Sequence, residues 1–188
     1  MSKAWPVPNL KPAVSLDTNA RRILRVRVAE LYSYEPVVND PNAVEPLHAM
    51  RISAKRLRYT LELFRAVFGE QGETAIDRVK AIQEELGNLH DADVRIALIQ
   101  EELTSLASEQ VCEIGRSLAA APPAAHASIA TAALRPPPDD PRRGLLTLLG
   151  RQYTARHEWF LRFNELWRQF DAEGMRADLV AMSSNAHR

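Results

Sequence analysis

The stretch Leu47-His48-Ala49-Met50-Arg51-Ile52-Ser53-Ala54-Lys55-Arg56-Leu57-Arg58-Tyr59-Thr60-Leu61-Glu62-Leu63-Phe64 separates apolar and cationic residues onto two faces of one helix. At ~100° per residue, Met50, Ala54, Leu57, Leu61, Phe64 and Phe68 make one stripe, which predicts a face buried in a core. His48, Arg51, Lys55 and Arg58 make a second stripe, with Arg65 two turns further on. The first stripe decides the fold class and the second poses the functional question.

The same 3.6-residue period recurs on both sides of this helix, with no sustained apolar/polar alternation, so the expected fold is all-α. Residues 1–14, with Pro6, Pro8 and Pro12, are expected to form an extended arm. A first helix is predicted from Asp17 to about Tyr34, with Ala20, Leu24, Val28 and Leu31 inward and Arg21, Arg22, Arg25 and Arg27 on its other faces. The second helix, entered either from Asn42 as a cap or with Pro46 at its first helical position, is predicted to end at Phe68-Gly69. A third is predicted from about Thr74 through Ile76, Val79, Ile82 and Leu86, stopping at Gly87-Asn88, where Asn88 and Asp91 resemble the capping box of a fourth. The fourth carries Ala92, Ile96, Ile99, Leu103 and Leu106. Residues 119–141 are rich in alanine and proline and read as a connection with a short helix at 124–134. A fifth helix is expected from about Arg142 to Phe170, and residues 173–188 are expected to fray. Short turns favour antiparallel neighbours, hence an up-and-down bundle of four to five long helices over 15–172.

Composition narrows the function classes. Twenty-four basic residues balance twenty-four acidic ones, so an anionic partner must be argued from charge placement rather than net charge. The single Cys112 excludes an internal disulfide and a cysteine-based metal site. No run is apolar enough to span a bilayer and the start has no signal-peptide h-region, which sets a cytoplasmic expectation with no membrane partner. A Gly-rich phosphate loop and a Gly-x-Ser-x-Gly elbow are both absent.

A solvated helix face usually mixes charge signs at i, i+4, which stabilises it by ~0.2–0.5 kcal/mol per pair. Here Arg51/Lys55 and Lys55/Arg58 are like-charged neighbours, and Glu62 relieves only the far end. An anion lying along the row removes that repulsion. Arginine forks grip phosphate oxygens in pairs while lysine acts as a point charge, so a mixed row can follow a phosphate chain without reading sequence. From His48 to Arg58 the row spans roughly 15 Å by helix rise. Arg21, Arg22 and Arg25 are added as candidates from the arginine density of the first helix alone.

The run His48-x-x-Arg51-Ile52-x-x-Lys55-Arg56-Leu57-Arg58-Tyr59-x-Leu61-Glu62-Leu63-Phe64 resembles the signature of the CHAD family of all-helical, histidine-containing domains. Leu86-Gly87-Asn88-Leu89-His90-Asp91-Ala92-Asp93-Val94, following Gln83, is similar to that family's second motif. The two motifs cover about 45–95, with a looser likeness to 170. The resemblance implies a helical bundle that binds inorganic polyphosphate through a basic surface, often at polyphosphate granules; a non-enzymatic role with no cofactor is the expectation. By position it implies His48, Arg51, Lys55, Arg56 and Arg58 as ligands. The full family domain is similar to two related halves, each with a His-x-x-Arg-type helix. This chain has one, resembling the C-terminal half, so the resemblance implies either a shortened site or two copies pairing as a homodimer.

Two other function classes compete. His90-Asp91, with His48, His126 and His157 elsewhere, is a two-residue match to a metal-dependent phosphohydrolase or polyphosphatase, but no spacing argues for convergence. Asp91 is explained equally well as a helix cap. A basic helical scaffold for an acidic protein, or for nucleic acid as a competing polyanion, is the third reading. Trp159, Phe160, Phe163, Trp167 and Phe170 resemble a base-stacking platform in composition, but at helical spacing they belong in a core. No metal site is expected.

Overall fold

The computed structural model describes residues 3–135 and 139–184. Six α-helices follow in order: α1 (Leu16–Tyr32), α2 (Val44–Leu63), α3 (Arg65–Ala120), α4 (His126–Ala133), α5 (Pro141–Ala172) and α6 (Met175–Ser184). No strand occurs among the described residues, and the all-α expectation holds. The chain divides into two compact units, residues 1–91 with 156–188 and residues 92–155.

The first unit holds a continuous hydrophobic core. Ala20, Leu24, Val28 and Leu31 of α1 meet Met50, Ala54, Leu57 and Leu61 of α2. Val79, Ile82, Leu86 and Leu89 of α3 and Phe160, Phe163 and Trp167 of α5 complete it. The stripe on α2 is therefore a core stripe, and the α5 aromatics fill the interior rather than a base-stacking surface. Ser15 caps α1, its hydroxyl accepting from the Thr18 amide at 3.2 Å.

Three expectations are corrected. First, α3 runs unbroken through Gly87 and Asn88 and merges the predicted third and fourth helices. Val79, Ile82, Leu86 and Leu89 keep one phase across Gly87, and their burial outweighs the ~1 kcal/mol that glycine costs in a helix interior. The real break is at Gly69 (φ 55°, ψ −144°), after α2 has stopped at Leu63. Second, α2 begins at Val44 after Ala43 with no side-chain cap, so neither Asn42 as a cap nor Pro46 at the first helical position describes its start. Pro46 still falls within the first turn, where amides have no helical acceptor.

Third, residues 175–184, expected to fray, form α6, which buries Met175, Leu179 and Met182 against the core. Arg21 and Arg25 of α1 donate to the carbonyls of Met182 and Ser183 in its last turn. Those carbonyls lack helical partners, and a cation there also suits the helix dipole. Arg78 of α3 bridges Asp178 at 3.1 Å and Glu173 at 3.3 Å. The remaining tail, 185–188, and Pro136-Pro137-Pro138 of the connection lie outside the described residues.

Residues 3–14 contain no helix and are tied to α1 by its own side chains. Arg22 donates to the Asn9 carbonyl at 2.6 Å, Arg27 to the Trp5 carbonyl at 3.0 Å, and Asn19 to the Lys11 carbonyl at 2.9 Å.

In the second unit, residues 92–155, Asp140 caps α5 with Pro141 in the first helical position. Its carboxylate accepts from the Arg142 amide at 2.9 Å and from the Arg142 guanidinium. These hydrogen bonds hold its carboxyl down at about 2. Arg142 also donates to Gln110, and Gln100 donates to the Tyr153 hydroxyl at 3.2 Å.

Candidate functional site

The cationic row of α2 is partly sheltered rather than fully wet, because α3 returns beside it. His48 stacks on His90 of α3, with ring centroids 4.0 Å apart and planes at 32°. One turn on, the Arg51 guanidinium lies over Gly87, where an added Cβ would stand 3.6 Å from Nε. These two contacts fix an antiparallel register between α2 and α3. On that register Lys55 falls level with Gln83, and Arg58 level with Lys80. Gln83, Gly87 and His90 share one α3 face at i, i+4, i+7, so the site is a shallow trough between two helices.

Charge in the trough is uncompensated at its centre. Arg51 and Lys55 have no carboxylate partner among the described residues. The buried Nε atoms of Arg51 and Arg58, His48 Nδ1 and Gln83 Oε1 have no hydrogen-bond partner. Arg58 reaches only to 3.5 Å from Glu62, too long for a hydrogen bond. Tyr59, half exposed, has the Lys55 ammonium 5.6 Å and the Arg58 guanidinium 5.0 Å from its ring centroid. These contacts hold both cations at the surface. Burial lowers the pKa of His48 below 6.5, with His90 and Arg51 pushing the same way and Glu45 opposing.

The other arginines expected as ligands lie elsewhere, for a geometric reason. Arg56, one residue past Lys55, is rotated ~100° around α2. It faces α1 and pairs at 2.6 Å with Glu30, whose side chain is fully buried and also accepts from Arg27. Arg21 is buried and forked onto Asp17 at 2.8 Å, in addition to its bond to α6. Arg22 and Arg25 hold the arm and α6. Each of these four arginines thus has a partner inside the protein. Sequence reasoning offers His90 as a metal ligand but misses it as a neighbour of the row, since 42 residues separate it from His48 and only the helix register joins them.

The arrangement gives the metal reading little to build on. Asp91 is exposed and lies in mid-helix, so it caps nothing, and His126 bonds at 3.1 Å to the Ala121 carbonyl in the second unit. Among the described residues, no three or more His, Cys, Asp or Glu are grouped to hold a metal ion. No helix there is long and apolar enough to cross a membrane.

A family model described as the CHAD domain matches residues 3–100, more than half of the chain. The match takes in the arm, α1, α2 and α3 as far as residue 100, including the whole trough, and stops short of the looser likeness expected to 170. No curated protein and no solved structure matches the chain. The chain belongs to the CHAD family, whose domain is associated with polyphosphate and triphosphate binding and is generally a binding domain.

Proposed function

We propose that this CHAD chain binds inorganic polyphosphate without chemical turnover, using His48, Arg51, Lys55 and Arg58 along the α2–α3 trough. One observation carries the reading: Arg51 and Lys55 are adjacent cations with no carboxylate partner among the described residues, beside buried guanidinium N–H groups that nothing accepts. Buried donors without acceptors are costly, and a charge-assisted hydrogen bond contributes about 1.5–3 kcal/mol where it forms. A flexible phosphate chain brings many acceptors and the missing negative charge together. Arg56, Arg21, Arg22 and Arg25, expected as ligands, are assigned structural work in this reading, because each already has a partner in the fold. Cytoplasmic placement at polyphosphate granules, and pairing of two copies to lengthen the row, belong to the same reading. Imaging and light scattering test those parts.

The test is a long-chain polyphosphate pull-down comparing wild type with Arg51→Glu/Lys55→Glu/Arg58→Glu and with the milder triple Gln variant, folding being checked by circular dichroism. Binding is expected to collapse in the first and weaken in the second. In wild type it should fall steeply with salt as counterions cease to be released. Heparin and DNA at matched salt should compete less well than polyphosphate. Undiminished binding by the folded variants removes this surface from the function.

A further inference from the structure

His90 does more than pack beside the row. We infer that the stacked His48–His90 pair forms a proton-dependent end of the polyphosphate site, so that binding the polyanion takes up protons and tightens as pH falls below neutrality. This inference rests on the polyphosphate reading and adds a regulation to the same trough.

The geometry carries it. Two imidazoles with centroids 4.0 Å apart are closer than the 4.5–7 Å of ordinary aromatic pairs, and two imidazolium rings so placed repel strongly. Every group facing His48 among the described residues bears on its charge. On α2 these are Arg51, a cation one turn ahead, and Glu45, the one carboxylate acting in the opposite sense. On α3 it is His90 itself; Gly87 lies against Arg51 and brings no side chain. Asp91, next to His90, is turned out to solvent.

The unliganded pocket therefore disfavours charge on His48, and its Nδ1 is buried with nothing to bond. A phosphate chain lying on Arg51 reverses this balance. It supplies negative charge beside the pair and acceptor oxygens for ring N–H groups, so the charged form of His48 is favoured when the ligand is present. His48, stacked on His90, then extends the cationic row at its α2 N-terminal end.

The experiment uses the full chain and long-chain polyphosphate, whose internal phosphates are strong acids and stay charged over the range tested. Calorimetric titration at one pH in buffers of different ionisation enthalpy counts the protons taken up. Dissociation constants at pH 7.5, 6.5 and 5.5, at fixed ionic strength, give the pH slope. Wild type should tighten by up to about tenfold per pH unit for each proton taken up, whereas His48→Gln/His90→Gln, binding more weakly than wild type, should lose that slope. His90→Gln alone, which removes the stack but leaves α2 untouched, should lose part of the slope and serves if the double variant fails to fold. The remaining histidines are common to all the proteins, so their contribution cancels. Parallel slopes in wild type and folded variants, with binding intact, overturn the inference and leave the polyphosphate reading standing. Absence of binding at every pH overturns both.

Discussion

Replacing Glu30 with Gln should damage the fold and spare the binding surface. The Glu30 side chain has no solvent exposure, and it accepts from Arg27 on its own helix and from Arg56 on α2 at 2.6 Å. Gln keeps the shape but removes the charge, leaving two guanidinium groups facing each other across a neutral amide. Breaking a buried pair typically costs about 3–5 kcal/mol. The arginine side chains keep 12% and 24% of their exposure, so water can reach their outer atoms, and a loss at or below the bottom of that range, about 2–3 kcal/mol, is expected. For a chain of this size that lowers Tm by roughly 4–12 °C.

Urea denaturation of wild type, Glu30→Gln, Arg56→Gln and the double variant measures this. The double variant should lose less than the sum of the singles, because the two changes remove one interaction. Polyphosphate affinity of the folded Glu30→Gln and Arg56→Gln proteins should stay within about twofold of wild type. A loss below about 0.5 kcal/mol in Glu30→Gln, within the range of ordinary surface substitutions, would refute the reasoning. So would an Arg56→Gln protein of normal stability that binds as poorly as an Arg51 variant, since Arg56 would then be a ligand.

Two further outcomes follow from local geometry. Gly69→Ala places a side chain in open space but forces φ +55° on a residue with a Cβ, so equilibrium denaturation should show a loss of about 1–3 kcal/mol arising from the backbone alone; a neutral substitution would mean that the turn relaxes. Because burial first, then His90 and Arg51, hold the folded pKa of His48 below 6.5, the unfolded chain binds that proton first on acidification. Stability without ligand should therefore fall from about pH 6.5 downward until the folded pKa is passed, and His48→Gln should flatten this in thermal melts between pH 7.5 and 5.5.

The core is legible in the sequence because burial follows period. Every residue assigned to the inward stripes of the first two helices is buried, apart from the partly covered Phe64. The false break at Gly87 comes from ranking a local capping pattern above phase. Leu89 keeps the α3 stripe in step across Gly87, whereas at Gly69 the chain reverses. α6 escapes a sequence reading although Met175, Leu179 and Met182 stand at i, i+4, i+7, because a short segment gains its stability from docking and little from propensity. The row itself is readable, yet which arginines belong to it is not. Arg56 and Lys55 are neighbours in the chain and serve different faces. Glu30, 26 residues before Arg56, leaves no local sign of that pairing. His90 is hidden for the same reason.

The turn from Phe64 to Gly69 sets the rotational phase of α3 against α2. Adding or removing one residue there swings every α3 side chain by ~100° about its axis and carries His90 and Gly87 away from the row. A change of four residues nearly restores the face, but it slides α3 by roughly 6 Å, about one turn. A chain can therefore keep both motifs letter for letter and still lose the trough. The number of residues between His48 and His90 is as much a part of the site as the histidines themselves.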